Sequence, residues 1–216
     1  ESIVINGKCY TSGIADRNYE YLEKYKPYMI ENGGDLPSKI NLVTKQKLLS
    51  LIEKTAKSMG ITNGIIKGDV VIHKGQIYII EVALRLSGGY FCSHLIPLST
   101  GVDFVGNAIK LAMRFKINTS ELKPKNNKFI SQRYFFPDPG KVIDVKGESK
   151  LRESTRLEFY QLNLKKGDLK GIINSHPSRS GMVITSGDNR QLAQENAYRA
   201  IQSIKVKYEK YEGSKC

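Results

Sequence analysis

Residues 69–89 read DVVIHKGQIYIIEVALRLSGG. Two runs rich in Val, Ile and Tyr flank a Lys-Gly pair, a pattern typical of a β-hairpin. Each run carries one carboxylate, Asp69 in the first and Glu81 in the second, and Arg85 follows shortly after. The sequence therefore predicts an antiparallel hairpin over roughly 65–83 with one acid on each strand.

The length of the turn determines whether the two acids share a face of the hairpin. A three-residue loop, 73–75, would place Asp69 opposite Ile79 and diagonal to Glu81, on the same face. A two-residue loop would place the acids on opposite faces, because a shift of one residue turns every side chain over. We expect the three-residue loop. Converged carboxylates repel each other unless a cation lies between them or one of them stays protonated, and Mg²⁺ suits such a pair when phosphates complete its ligands. The alternative is that the acids simply face water.

The chain of 216 residues carries 34 Lys and Arg against 21 Asp and Glu, a formal net charge of +13. This excess favours anionic partners such as nucleotides, acidic metabolites or nucleic acid. A competing function is therefore a basic nucleic-acid-binding or anion-binding module without catalysis. No RNP-like or helix-turn-helix motif supports it, and the cations are scattered, so we do not expect nucleic acid as a partner.

The cysteines and the apolar runs indicate the redox state of the cellular compartment and whether the chain could span a membrane. Three cysteines, Cys9, Cys92 and Cys216, are few, widely spaced and odd in number, which argues against a disulfide framework and for a reducing, cytoplasmic location. No apolar run approaches the ~20 residues that a membrane span needs.

Hydrophobic periodicity predicts an α+β protein. A helix with apolar positions between Leu48 and Met59 is expected to begin at Ser38 or Thr44 and to end at Gly60. A second helix is expected to begin at Asp103. The polar stretch 118–128 predicts a linker. Beyond it, five short strands (FISQRYFF, KVIDV, STRLEFYQLNL, GIINS and GMVITSG) are expected. A closing helix is expected to carry Ala193, Ala197, Ala200, Ile201 and Ile204 on one face. We therefore predict two units, 1–120 and 121–216.

The opening stretch resembles the ATP-grasp superfamily, which includes biotin carboxylase, carbamoyl phosphate synthetase, D-alanine ligase and the L-amino acid ligases. These enzymes carry an acid on one strand, a turn, and then I-E-x-N-x-R, with the acids about a dozen residues apart. Here the spacing is 12, and IIEVALR supplies the Glu and the Arg. Ala83 stands where the family usually has Asn, so a ligand for a second Mg²⁺ is missing.

The resemblance covers nearly the whole chain and is greatest to the carboxylate–amine ligase branch. It includes NGKCYTSGIADR, KPYMIENGGDLPS and ALRLSGGYFCSHLIPLSTGVDF in the first half, and DPGKVIDVKG, KKGDL and SRSGMVITSGDN in the second. It implies the C-terminal lobe of an ATP-grasp domain over 1–120, with an antiparallel sheet and helices, followed by a small C-terminal α/β ligase domain over 121–216.

The resemblance also implies roles for residues of the hairpin. Asp69 and Glu81 would bind Mg²⁺ or Mn²⁺ that bridges the ATP phosphates. Arg85 would be the catalytic residue that steadies the transferring phosphate or the acyl phosphate. Val71 would pack under the adenine ring, although a plain core valine is the alternative.

Three further residues are implied in substrate binding. Glu31 would face the substrate amino group, but Gly34 replaces the usual His three residues later, which is a departure from the amino acid ligase pattern. The alternative for Glu31 is a solvated loop acid. Gly88 and Gly89 would let backbone N–H groups approach the acyl phosphate, and an ordinary turn is the alternative.

The expected ligands are ATP with a small carboxylate and an amine. The expected partner is the N-terminal part of the same enzyme, including its lid and nucleotide-binding lysine, without which the chain should not catalyse ligation. An exposed face that meets the lid would favour homo-oligomers. We expect no membrane association.

Overall fold

The computed structural model describes residues 1–209, so Cys216 lies outside the described residues. The strands are β1 (Ser2–Ile5), β2 (Lys8–Thr11), β3 (Asp16–Arg17), β4 (Gly34–Leu36), β5 (Gly64–His73), β6 (Gln76–Ala83), β7 (Phe129–Tyr134), β8 (Gly140–Lys146), β9 (Leu157–Leu162), β10 (Leu169–Lys170), β11 (Gly181–Gly187) and β12 (Lys205–Glu209). The helices are α1 (Leu22–Tyr25), α2 (Leu42–Ser58), α3 (Ile96–Thr100), α4 (Phe104–Ala112), α5 (Glu148–Arg152) and α6 (Arg190–Ser203). The predicted α+β class is confirmed.

The chain divides into two compact units by its packing contacts. The first unit contains residues 1–15 and 36–128, and the second contains residues 16–35 and those from 129 onward. Residues 16–35 therefore pack with the second unit, although they precede the expected boundary. The assignment of 1–120 to an ATP-grasp lobe and 121–216 to a ligase domain stays a prediction. None of the helices within residues 1–209 combines the length and the apolar character that crossing a membrane would require.

The first unit is built on a four-stranded sheet in the order β2-β1-β5-β6. Helix α2 covers one face and buries Leu48, Ile52 and Ala56 against it, as the helical periodicity predicts. The side chain of Asn41 caps the helix by accepting a hydrogen bond from the Thr44 amide. The expected cap at Ser38 or Thr44 is therefore wrong, because Asn41 lies three residues before the amide that its side-chain oxygen reaches.

The opposite face of this sheet packs against the region from the π-helical turn (Phe91–Leu95) to α4. The buried members of this core are Ile3, Cys92, Ile96, Val102, Phe104 and Leu122. Asp103 caps α4 through the Gly106 amide, as predicted. The expected linker is only partly irregular, because it contains a 3-10 turn (Thr119–Leu122) whose Leu122 is buried in this core.

The second unit contains a five-stranded sheet, β3-β4-β7-β11-β9, and a three-stranded sheet, β10-β8-β12. Helix α6 buries Ala193, Ala197 and Ala200, as predicted. Four of the five expected strands form, as β7, β8, β9 and β11. The expected strand at 171–175 is wrong, because the strand of this region is the short β10 that precedes it.

A buried ion pair lies in the second unit, where Arg133 of β7 meets Asp35 of β4. The Arg133 Nη1 lies 3.0 Å from Asp35 Oδ1, and Nη2 lies 3.2 Å from Oδ2. Burial disfavours the guanidinium charge, but the hydrogen bonds to Asp35 and Tyr198 outweigh it and raise the pKa of Arg133. Two further donors, Ser131 Oγ and Gln194 Nε2, satisfy the carboxylate. The charges are thus paired and hydrogen-bonded, as buried charges must be.

Candidate functional site

The β5–β6 hairpin closes through a two-residue turn. His73 pairs with Gln76, and the turn residues Lys74 and Gly75 both have left-handed φ angles, of 48° and 77°. Positive φ at both central residues is the geometry of a type I′ turn, which matches the twist of the strands. The hairpin is therefore confirmed, and the expected three-residue loop is wrong.

A β-bulge nevertheless brings the two acids into register. The register shifts between Asp69 and Val70, so that Val70 pairs with Ile79 while Asp69 pairs with Glu81. Ile80 is left as the extra residue of β6, and it is exposed. Because directly opposed residues of an antiparallel pair project from the same face, Asp69 and Glu81 share a face. The expected shared face is confirmed, by a different route from the one predicted.

Lys67 links the two acids. Its Nζ lies 2.6 Å from Asp69 Oδ2 and 3.2 Å from Glu81 Oε1. The Lys67 side chain is only 10% exposed, against 29% for Asp69 and 57% for Glu81. Sequence reasoning missed this residue, although its position two residues before Asp69 on the same strand already places it on the same face.

The two carboxylates fit a Mg²⁺ ion only if other groups supply most of its ligands. Within residues 1–209 no group of three or more His, Cys, Asp or Glu side chains could hold a metal ion. A magnesium ion is commonly held by one or two carboxylates, with waters and nucleotide phosphates completing the octahedron. Asp69 and Glu81 therefore suit an ion whose remaining ligands are waters or nucleotide phosphates, and they do not suit an ion held by side chains alone.

The other residues predicted for this site lie on β5 or just after β6. Val71 is two residues beyond Asp69 on the same face and is half exposed, so it is not a core valine. Arg85 is exposed and donates from Nη1 to the Leu86 carbonyl at 3.1 Å. Gly88 and Gly89 are exposed in the following turn. Asp69 and Glu81 thus converge through Lys67, whereas the contact between Arg85 and a phosphate stays a prediction.

Cys92, in the core of the first unit, is no nucleophile. The residue is 3% exposed, and burial, assisted by the Glu1 carboxylate, raises the pKa of its thiol to about 12. A thiol with this pKa carries almost no thiolate near pH 7. Cys92 is therefore a core residue of the first unit.

Glu31 belongs to the second unit and is paired with arginine. Its Oε2 lies 2.6 Å from Arg17 Nη1, and its Oε1 lies 3.7 Å from Arg179 Nη1. Arg179 also donates to the Glu31 carbonyl, and its guanidinium carbon lies 3.6 Å from the centre of the Tyr134 ring. Glu31 is therefore not a solvated loop acid, and its role toward a substrate amine stays a prediction. Sequence reasoning did not connect either arginine with Glu31, and Arg179 lies 148 positions away from it in the chain.

Residues 133–209 match the family described as L-amino acid ligase C-terminal domain 2. The structure resembles phosphoribosylglycinamide synthetase from Anaerococcus prevotii, with a TM-score of 0.81 and 14% identity over 96% of this chain and 52% of the other. It also resembles L-amino acid ligase from Bacillus licheniformis, with a TM-score of 0.81 and 16% identity over 97% of this chain and 53% of the other. The chain has the fold of the C-terminal part of the ATP-grasp carboxylate–amine ligases.

A third ATP-grasp structure extends the fold similarity beyond these two. Biotin carboxylase from Campylobacter jejuni matches with a TM-score of 0.67 and 15% identity, over 96% of this chain and 45% of the other. The chain thus spans about half of the length of the ATP-grasp structures that it matches. A search of the curated proteins gave no match. The predicted family resemblance and fold class are confirmed.

Proposed function

We propose that this chain is the C-terminal part of an ATP- and Mg²⁺- or Mn²⁺-dependent carboxylate–amine ligase. In this reaction a substrate carboxylate oxygen attacks the γ-phosphorus of ATP, and the bond to the ADP oxygen breaks. The amine nitrogen then attacks the acyl phosphate carbon, the carbon–oxygen bond to phosphate breaks, and the amine loses a proton. The products are an amide, ADP and phosphate.

The observation that carries the proposal is the pairing of Asp69 with Glu81 on one face of the β5–β6 hairpin. The two carboxylates converge around the Lys67 ammonium, and carboxylate oxygens grouped in this way are also the ligands that an ion bridging nucleotide phosphates uses. A bound Mg²⁺ would neutralise charge on the phosphate oxygens during transfer. The family match at residues 133–209 supports the ligase class independently of the hairpin.

The residues of this chain would position the ligands in distinct ways. Asp69 and Glu81 would hold the ion, and Val71 would contact the adenine with its exposed apolar surface. The exposed guanidinium of Arg85 would bind the transferring phosphoryl group, whose charge is spread over its oxygens. The main chain at Gly88 and Gly89 carries no side chain that would keep an anion from the amide groups.

Glu31 would orient the amine through its carboxylate. The two arginines beside it hold that carboxylate in place, which suits an ammonium ligand only if the ligand also carries a negative group for the arginines. An α-amino acid has both groups. This pattern supports an amino acid substrate, in agreement with the family matched by residues 133–209.

The test is a coupled assay of ADP release with amino acids as substrates, on a polypeptide that contains this chain together with the remainder of the ligase. We expect Asp69→Asn and Glu81→Gln each to lower kcat by at least about 100-fold, because each removes a metal ligand used in the transition state. Unfolding temperatures should change by only a few degrees, since both acids lie at the surface.

Asp144→Asn is the matched control. Asp144 also lies on a strand, and its Oδ2 lies 3.3 Å from Nζ of Lys146, a lysine two residues away. This control should leave kcat within about twofold, because an exposed pair of this kind contributes little. Unchanged kcat in both Asp69→Asn and Glu81→Gln would refute the metal assignment.

The 216-residue chain by itself should release no ADP above background in the same assay. A phosphoryl-transfer site must hold nucleotide, ion and acceptor together in a water-poor cleft, and the structures that match this chain are about twice as long. Amino-acid-stimulated ADP release by the chain alone would show that it contains a whole catalytic site. Self-association through the exposed hairpin face is expected, and sedimentation would measure it.

A further inference from the structure

We propose that the Lys67 ammonium is a built-in counter-cation of the Asp69–Glu81 pair and replaces one of two divalent ions, so that the hairpin binds a single ion. The inference rests on the proposed function, because it concerns the same acids. Lys67 would act as a positioning residue that holds the carboxylates together.

The first support is the confinement of Lys67. Lysine is among the residues least often buried without a partner, and its four-carbon stem usually leaves the charge in water. Here the side chain is 10% exposed, and Nζ contacts both acids, at 2.6 Å and 3.2 Å. An ammonium group can donate three hydrogen bonds, and two of them are directed at these carboxylates. The charge is therefore placed between the acids.

The second support comes from the residue opposite Lys67. In the hairpin register Lys67 pairs with Ala83, just as Asp69 pairs with Glu81. Ala83 is the position at which the family resemblance expects an Asn that would ligate a second metal ion. The methyl group of alanine offers no ligand to a metal ion. A fixed cation thus stands directly across the hairpin from the position that lacks a metal ligand.

These two features have a common consequence. A divalent ion midway between Asp69 and Glu81 would lie within a few ångströms of the ammonium, and like charges at this distance repel. An ion can therefore bind only to carboxylate oxygens that do not contact the Lys67 ammonium. The pair is also kept converged before any ion or nucleotide arrives, since the ammonium screens the repulsion between the acids.

The experiment measures Mn²⁺ binding to the 216-residue chain by the loss of the free-ion EPR signal, without nucleotide. Lys67→Met keeps the length of the apolar stem and removes the charge. We expect it to tighten Mn²⁺ binding by about tenfold or more, because the competing cation is gone. Lys67→Arg retains a cation and should bind Mn²⁺ within about threefold of the unaltered chain.

A purely structural role for Lys67 predicts a different pattern, in which Lys67→Met lowers the unfolding temperature and leaves Mn²⁺ affinity unchanged. Lys67→Gln is measured in parallel so that a second neutral variant is available if the methionine variant does not fold. Adding Ala83→Asn to the neutral variant should raise the stoichiometry from one Mn²⁺ per chain to two.

The outcomes separate this inference from the proposed function. Equal Mn²⁺ affinity in the unaltered chain and in the neutral variants, with binding abolished by Asp69→Asn, would overturn the role of Lys67 and leave the metal site standing. The absence of Asp69-dependent Mn²⁺ binding in every variant would overturn both. Two ions bound per unaltered chain, both lost in Asp69→Asn, would also refute the single-ion site.

Discussion

Replacement of Asp35 by asparagine should destabilise the second unit severely. The Asp35 carboxylate accepts hydrogen bonds from both terminal nitrogens of Arg133, from Ser131 Oγ and from Gln194 Nε2. An asparagine side chain has one acceptor oxygen, and its amide group would face donors on the other side. In Asp35→Asn the new NH₂ group would therefore face at least one of these donors, and neither group would have an acceptor. The buried guanidinium of Arg133 would also lose its counter-charge.

The expected cost follows from the burial of the pair. The Arg133 side chain is 1% exposed and that of Asp35 is 7% exposed. Breaking a buried ion pair by removing one partner costs about 3–5 kcal/mol, because the other charge stays buried and uncompensated. With a urea m-value of about 1–3 kcal/mol per molar, a loss of 3 kcal/mol lowers the midpoint by about 1–3 M.

The assay is urea unfolding followed by circular dichroism, with hydrogen exchange resolved by mass spectrometry to assign the loss to β7 and β11. Asp188→Asn is the matched control in the same unit, since Asp188 Oδ1 lies 2.9 Å from Arg156 Nη2 and both side chains are exposed. The control should change the free energy of unfolding by less than about 1 kcal/mol. Equal losses in the two variants, or a loss below about 1 kcal/mol in Asp35→Asn, would refute the reasoning.

Three further predictions concern single residues. Burial raises the pKa of the Cys92 thiol from 9.0 to about 12, so the unfolded chain loses this proton at a lower pH than the folded chain does. The free energy of unfolding should therefore fall by about 1.4 kcal/mol per pH unit from about pH 9 toward pH 12. Urea unfolding measured at several pH values should show this fall, and the Cys92→Ala variant should not show it. Gly33→Ala would place Cβ against the Gln132 carbonyl oxygen at a φ of +74°, and it should lower the free energy of unfolding by about 2 kcal/mol or more. Gly7→Ala is the control, because its φ of +75° is similar but its Cβ would meet no atom within 4 Å. The control should lower the free energy of unfolding by about 1 kcal/mol in the same urea titration. Asn41→Ala removes the cap of α2 and should lower the unfolding free energy by about 1 kcal/mol, measured by thermal denaturation.

Much of the fold follows from local sequence signals. Two hairpin turns form at dipeptides that end in glycine and lie between apolar runs. They are Asn6-Gly7, with φ angles of 49° and 75°, and Lys74-Gly75. The apolar periods of α2 and α6 predicted the residues that these helices bury. Such signals act over a few residues, so one sequence is enough to find them.

Elements that depend on distant partners were missed. Residues 16–38 have no regular apolar period, yet they contain β3, α1 and β4, because β4 pairs with β7 about a hundred positions later in the chain. The supposed linker contributes Leu122 to a core for the same reason. A polar composition does not exclude a strand or turn whose contacts are supplied by another part of the chain.

The candidate site shows how a correct pairing can follow from an incorrect turn. A two-residue turn alone would have placed Glu81 on the face away from Asp69, and the bulge at Ile80 reverses that displacement. No local pattern marks the bulge, because Ile80 is as apolar as Ile79 although only Ile79 packs against the α2 core. A bulge accommodates one extra residue in a strand while the hydrogen-bonded pairing continues on both sides of it. In this hairpin the extra residue is Ile80, which lies next to Glu81 in β6. Lys67 lies on the face of Asp69 by its position in β5, and the bulge in β6 brings Glu81 to that face, so the ammonium contacts both acids because of the bulge.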